Sequence, residues 1–282
     1  MLQAPQRTGL SGPTLIRLLT RLTDAEVQQS RQSLSDHLSQ WLGWTDAIAL
    51  SAALNTAPPV IAPGARMFSS AEERECVRVR TTLADAIASD TAATAAKRVA
   101  PARAPAKKLA AVLAEDEFDY SSFRQRYLSL QHTMETSIGN LRSRLRGMVA
   151  ARNGEWTRLA VVDAIMDRAL LPKERALLGA IPKLLQAHFD RLRKAEEAAL
   201  AQAAEQALAE PGAPADAAAN VQGDTEAPAI DAAQAGTAPL APAITAGAWL
   251  DTFRADMRAV LLAELDVRLQ PVEGLLAALR TS

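Results

Sequence analysis

Cys76 is the only thiol in the chain. It permits no internal disulfide, and its place in an apolar pattern reads as a small buried hydrophobe on a helix. Aromatic residues are scarce, at 4% against 49% hydrophobic overall, so the sizeable core this composition allows is mainly aliphatic. Neither sign of charge dominates: the formal net charge is −1, which gives no global attraction to nucleic acid or to an anionic membrane. No uncharged apolar run approaches the ~18 residues of a membrane span. The start, "MLQAPQRTGLSGP", has no apolar signal-peptide region, which predicts a cytoplasmic protein. There is no Gly-x-x-x-x-Gly-Lys-Ser/Thr loop, no Gly-x-Gly-x-x-Gly and no Gly-x-Ser-x-Gly, so phosphate cradles and the nucleophile elbow have no sequence support.

What is abundant is alanine, roughly a fifth of the chain and far above ordinary usage. Alanine has the highest helix propensity and adds little burial. The sequence reads as all-α, a bundle of long amphipathic helices with two disordered Ala/Pro-rich linkers. An N-terminal helical module covers 1–90. Leu15, Leu18, Leu19 and Leu22 form its first apolar face after Pro13. Thr23 and Glu26 read as a capping box for a helix carrying Val27, Leu34, Leu38 and Trp41. A short helix spans Asp46 to Asn55. Ser70 and Glu73 read as a second capping box, for a helix carrying Cys76, Val79, Leu83 and Ile87. The alternation in "CVRVR" suits a strand but is too short to outweigh the helical period.

Residues 91–117 read as a basic then acidic linker, with Lys97, Arg98, Arg103, Lys107 and Lys108 broken by Pro101 and Pro105. A central helical module follows at 118–209. Its first helix repeats apolar residues every three or four positions: Phe123, Tyr127, Leu130, Met134, Ile138, Leu141, Leu145 and Met148. Asn153 and Gly154 mark its end. Trp156, Leu159, Val162, Met166 and Leu170 make another helix. Pro172 is expected to start the next, with Leu178, Ile181, Leu185, Phe189 and Leu192, and Pro182 to kink or restart it. Residues 210–246 carry Asp216, Asp224, Glu226 and Asp231 but no basic residue, and read as a disordered acidic linker. A flexible chain of about 37 residues spans roughly 35 Å, and a helix over 182–209 is about 40 Å long. The linker can thus return the C-terminal helix, 247–282, along its predecessor. That helix has the strongest stripe, Leu250, Phe253, Met257, Leu261, Leu265, Leu269, Val272, Leu276 and Leu279, and must dock on its own chain or on a partner.

Arginines flank the apolar stripe of the first central helix. Arg124, Arg142 and Arg146 fall on one side, and Arg126 and Arg144 on the other. Three roles compete. Their stems can cover the core edge while their heads meet carboxylates, with Glu264 and Asp256 of the last helix first in line. They can pair across an interface formed by the opposite, uncharged face (Gln125, Ser129, Thr136, Asn140, Ser143, Gly147). They can contact phosphate, but a nucleic-acid reader concentrates its basic charge on one exposed face. The candidate interaction residues are therefore Arg124, Arg126, Arg142, Arg144 and Arg146, with Leu261, Leu265 and Leu269 of the last helix.

Catalytic and metal chemistry have little to work with. His37, His132 and His188 stand apart. His132 and Glu135 are one turn apart, but a bundle carboxylate site needs paired Glu-x-x-His motifs. The run Glu115, Asp116, Glu117, Asp119 precedes a helix, where negative charge suits the dipole. No catalytic residue, cofactor or metal is expected.

The stretches "YSSFRQRYLSLQHTMETSIGNLRSRLR", "IPKLLQAHFDRL" and "AELDVRLQPVEGLLAAL", with "RTGLSGPTLIRLLTRL" at the start, resemble an uncharacterised bacterial family, a domain of unknown function. The resemblance covers most of the chain outside the linkers and brings no catalytic residues. It implies genes near those for an OmpA-like envelope protein and a membrane protein similar to flagellar-motor or Tol-type proton-channel subunits, and so a cytoplasmic accessory of an envelope complex.

The expected function is a non-catalytic scaffold or adaptor whose partner is protein, either itself or another helical chain. One alternative is a nucleic-acid-associated protein using basic patches at 97–108 and 142–152. Another is an amphipathic coat on granules or lipid surfaces.

Overall fold

The computed structural model describes residues 13–23, 32–55, 68–99, 119–152, 154–209 and 247–281, and these form helices without a strand among them. In chain order they are α1 (Thr14–Thr23), α2 (Leu34–Trp41), α3 (Trp44–Asn55), α4 (Ser70–Val99), α5 (Tyr120–Ala150), α6 (Gly154–Leu178), α7 (Ile181–Ala209) and α8 (Ala248–Arg280).

Helix α8 is the axis of the assembly. Sixteen of its 33 residues are buried, more than one stripe can supply, so it is enclosed from several sides. It packs on α5, α4, α7 and α1. All nine stripe residues foreseen from the sequence are buried, joined by Trp249, Val260, Ala263 and Leu275 on the flanks. Leu261, Leu265 and Leu269, proposed above as interaction residues, are core residues of this same chain. They offer nothing to a second molecule, because the docking that their stripe requires is satisfied in cis. One hydrophobic cluster joins Leu15 and Leu22 of α1, Leu83 and Ile87 of α4, and the stripes of α5, α7 and α8. At one end Phe123, Phe189 and Phe253 meet at ring separations of 5.0 to 5.9 Å. Trp249 packs edge-on against Phe189, the geometry the ring quadrupoles favour.

Several expectations are corrected. The cap before α2 is Ser33 with Asp36, each side chain bonded to the other's backbone. Thr23 instead ends α1, its hydroxyl donating to the Leu19 carbonyl, while Glu26 and Val27 lie outside the described residues. The box before α4 sits one residue early: the Glu72 carboxylate accepts from the Ser69 backbone N–H and hydroxyl. Glu73 is thereby freed to bond Arg280. Pro172 does not start a helix but lies inside α6. It is exposed there, so the carbonyl it leaves without a donor can face water. Pro182 does mark a restart: a turn at Gly179 and Ala180 separates α6 from α7. The backbone of α4 stays helical to Val99, into the segment expected to be linker. The rest of that segment and residues 210–246 lie outside the described residues.

Helices α2 and α3 stand apart from the core and pack on α6. Helix α6 is thus held between α5 on one side and α3 on the other. Its buried residues are Thr157, Ala160, Ile165 and Leu178, not the predicted stripe, and Leu159 is 38% exposed.

Candidate functional site

The centre of the bundle holds a carboxylate. Glu264 of α8 is 0% exposed. Tyr127 and Gln131, one turn apart on α5, both reach it. The Tyr127 hydroxyl donates to Oε2 at 2.7 Å, and the Gln131 amide donates at 3.0 Å. Arg268, one turn along α8, donates through Nε at 2.9 Å and through Nη1 to Glu174 of α6 at 3.0 Å. Gln131 also donates to the Leu178 carbonyl at 3.1 Å, one of the orphan acceptors at the end of α6. Three helices are therefore pinned to one buried charge. Burial and the Glu264 charge push the Tyr127 hydroxyl well above the ordinary tyrosine range. Burial also raises the Glu174 carboxyl, against the pull of Arg268. An ion pair taken out of water gives little net stability, but removing one partner strands the other. This centre therefore fixes register more than it adds cohesion. No substrate meets Glu264 unless the bundle opens.

A second cluster clamps α5 to α6. Arg142 and Arg146 face Asp163 and Asp167, also one turn apart, and each carboxylate bridges both guanidiniums. All four contacts are 2.6 Å. Packing at the core edge against carboxylates is thus the observed role of these two arginines. Their acceptors are not the expected Glu264 and Asp256, because α6 lies directly beside that flank of α5 while Glu264 is consumed at the centre. Asp256 instead meets His188 Nε2 at 2.9 Å and Arg21 at 3.3 Å, tying α8 to α7 and α1. Arg191 adds a bond to the Leu22 carbonyl at the end of α1.

The remaining candidates divide. Arg144 is 43% exposed, with Glu75 of α4 at 3.9 Å. Arg124 is exposed and Arg126 half-buried. Arg152 donates to the Leu279 carbonyl at 2.7 Å, closing the C-terminus of α8, where positive charge suits the dipole. The acidic rim of α8 is met by α4, whose Arg80 bonds both Glu273 and Asp266. Asp119 caps α5, accepting from the Ser121 backbone N–H at 3.1 Å. Glu135 is held by Arg175 of α6, and that bond keeps its carboxyl below the usual range. Cys76 is half-buried against the core, its thiol pushed up by burial.

Sequence reasoning missed the Tyr127–Gln131–Glu264–Arg268 centre. The signal was present: Gln131 and Glu264 sit beside their stripes at positions where the period calls for apolar residues. The expected neutral face of α5 is there, with Gln125, Ser129, Thr136, Asn140, Ser143 and Gly147 all exposed. A methyl group added at Gly139 or Gly147 would meet open space. Apolar grooves run along both sides. One is lined by Val79, Leu83 and Ala86 of α4, the other by Ala160, Val161 and Ile165 of α6.

Among the described residues, no helix is long and apolar enough to cross a membrane. Comparison with curated proteins and with solved structures gives no match. A family model does match, over residues 1–281, the whole span of these helices and their connections; the chain belongs to that family, described as Protein of unknown function (DUF3348).

Proposed function

We propose that the chain is a non-catalytic helical adaptor that binds a helix of another protein. The supporting observation is where its charge goes. Arg142 and Arg146 of α5 turn to Asp163 and Asp167 of the same chain, and the buried carboxylate is closed by its own neighbours. What α5 presents outward is a long uncharged face with an apolar groove on each side. Helices pack by laying ridges into grooves, and small side chains such as Gly139 and Ser143 permit close approach. The family resemblance directs the search for that partner to the cytoplasmic side of an envelope complex.

The nucleic-acid alternative loses most of its second patch, since Arg142, Arg146 and Arg152 are all bonded internally. The test is affinity capture from native cells with the full chain and with a Thr136→Arg/Ser143→Arg variant. Both positions are exposed, so the variant should melt like the wild type. A defined protein captured by the wild type and lost with the variant supports the reading. An unchanged set of captured proteins overturns it. A salt-sensitive gel shift at physiological ionic strength would promote the nucleic-acid reading instead.

A further inference from the structure

Helix α3 is built mainly of apolar residues, yet none of its residues is buried. Asp46, Ala49, Leu50 and Ala53 turn towards α6, and Asp46 is held there by Arg168 at 3.2 Å. The opposite side carries Trp44, Ile48, Ser51 and Asn55, spaced by four, three and four residues, the seam spacing of helices that pair side by side. Trp44 is 82% exposed and Ile48 53%, with Leu54 of the same helix exposed at 52%. A tryptophan so open is unusual in a folded chain.

We propose that this seam is a self-association surface, on which a second copy of the chain lays its own α3 antiparallel about a two-fold axis. Two features favour a second copy over another occupant. The first is charge. A two-fold contact sets a patch against itself, so any net charge on it is repelled. The seam and its apolar flank, Ala47, Ala52 and Leu54, carry no charge at all, in a chain that is 22% charged. A lipid surface is disfavoured on the same ground, because α2 and α3 contain no lysine or arginine to meet anionic headgroups. The second is size. Trp44 and Ile48 make one half of the seam large, and Ser51 and Asn55 make the other half small. Asn55 is already folded back onto the Ser51 carbonyl at 2.9 Å. Antiparallel pairing sets Trp44 against Asn55 of the second copy and Ile48 against its Ser51, large on small throughout. Parallel pairing would set tryptophan against tryptophan.

The area sets the strength. Trp44 alone exposes about 200 Å². With Ile48 and Leu54 the patch is on the order of 400 Å² per copy, the upper range of what monomers leave open. Two copies would bury about 800 Å², below the ~1,200 Å² of a stable complex. The pair is therefore weak, with a dissociation constant on the order of 10–100 μM.

Sedimentation equilibrium of the full chain from about 5 to 500 μM tests this, the range being set by that constant. The wild type should pass from monomer to dimer. Trp44→Glu should stay monomeric across the range while keeping the wild-type melting temperature, since the site is open. Adding Asn55→Arg to Trp44→Glu should restore pairing, because each glutamate then faces an arginine of the other copy. Residues 44 and 55 lie about 16 Å apart on one helix, too far to pair within a chain. A wild type that stays monomeric overturns the proposal. So does a dimer indifferent to Trp44→Glu, or a double variant no better than the single one. The Thr136→Arg/Ser143→Arg variant should pair normally, which separates this proposal from the adaptor reading.

Discussion

Helix α8 and helix α3 are both mainly apolar, and they end up in opposite places. Helix α8 carries a full stripe with charges at positions that find partners: Glu264 and Arg268 with each other, Asp256 with His188, Asp266 with Arg80. It is enclosed by four helices. Helix α3 has one charge turned to α6 and an apolar seam turned away. Apolar content therefore does not decide what becomes core. Length and the placing of polar groups do. A 33-residue helix with partners for its charges can be surrounded, whereas a 12-residue helix offers one narrow contact.

The hardest way to break this comparison is to remove α8. Deleting 247–282 strips the core of every residue that touches α1, α4, α5 and α7 together. The truncated chain should lose cooperative melting and aggregate through its exposed stripes. A truncated chain that stayed monomeric with an unchanged melting temperature would mean that α8 is an accessory and not the axis.

Next is the buried charge. Arg268→Ala leaves Glu264 without its cation and should cost about 3–5 kcal/mol in urea unfolding. The double change Glu264→Leu with Arg268→Met removes both charges and should cost markedly less. Equal losses would show that the site acts through volume alone.

Two buried tyrosines of α5 predict an alkaline limit: Tyr127 of that centre, and Tyr120, whose hydroxyl donates to the Pro182 carbonyl. Burial pushes Tyr120 up to about 12 and Tyr127 higher still, while a tyrosine in the unfolded chain ionises near ~10. Between these values the fold retains protons that the unfolded chain has lost, so stability must fall as pH rises. Urea titrations followed by circular dichroism should show full tyrosine-linked stability below about pH 10 and a decline towards pH 12. In Tyr120→Phe that decline should be shallower.

The Arg142–Arg146–Asp163–Asp167 clamp lies at the edge of the core, 14% to 30% exposed, and its contacts are shared, so its effects are smaller than those of the wholly buried centre. A double-mutant cycle on Arg142 and Asp163 should give a coupling of about 1–2 kcal/mol. Arg144→Ala, at a long contact to Glu75, should cost under about 0.5 kcal/mol. Equal costs at Arg142 and Arg144 would contradict the division of the arginines drawn from the structure.

The sequence made the stripes legible because a long helix repeats its burial signal many times. All eight predicted positions on α5 except Leu130 are buried, and all nine on α8. The cap before α4 was found to within a residue, since Ser69–Ser70 and Glu72–Glu73 present two equivalent frames, whereas the one before α2 was placed at Thr23 and Glu26 and lies at Ser33 and Asp36. Partners were not legible. That Arg142 would choose Asp163 over Glu264 depends on which helix lies beside that flank, a fact of three-dimensional order that one-dimensional period does not contain. Helix α6 was misread for a related reason. Contacted on two faces, it has no single stripe, so its period pointed to Leu159, which is exposed, and passed over Ala160 and Thr157, which are buried.

The smallest expected effect is the sharpest probe of the contrast between α3 and α8. Leu261→Ala removes a wholly buried side chain and should cost about 2–5 kcal/mol, transfer and cavity together. Ile48→Ala removes a side chain of nearly the same size from an open seam. There is little transfer to lose and no cavity to leave, and alanine is the better helix former at that position. In dilute protein, around 1 μM and below any pairing expected from its area, the change should fall within about 0.5 kcal/mol of the wild type. Repeated near 200 μM, the same substitution should show a larger deficit, because wild-type stability rises with concentration when the folded chain pairs. A deficit that grows with concentration separates a seam closed by a second copy from one closed by nothing. A loss above about 1.5 kcal/mol already present in dilute protein would mean that the chain covers Ile48 by itself, and the pairing proposal would go with it.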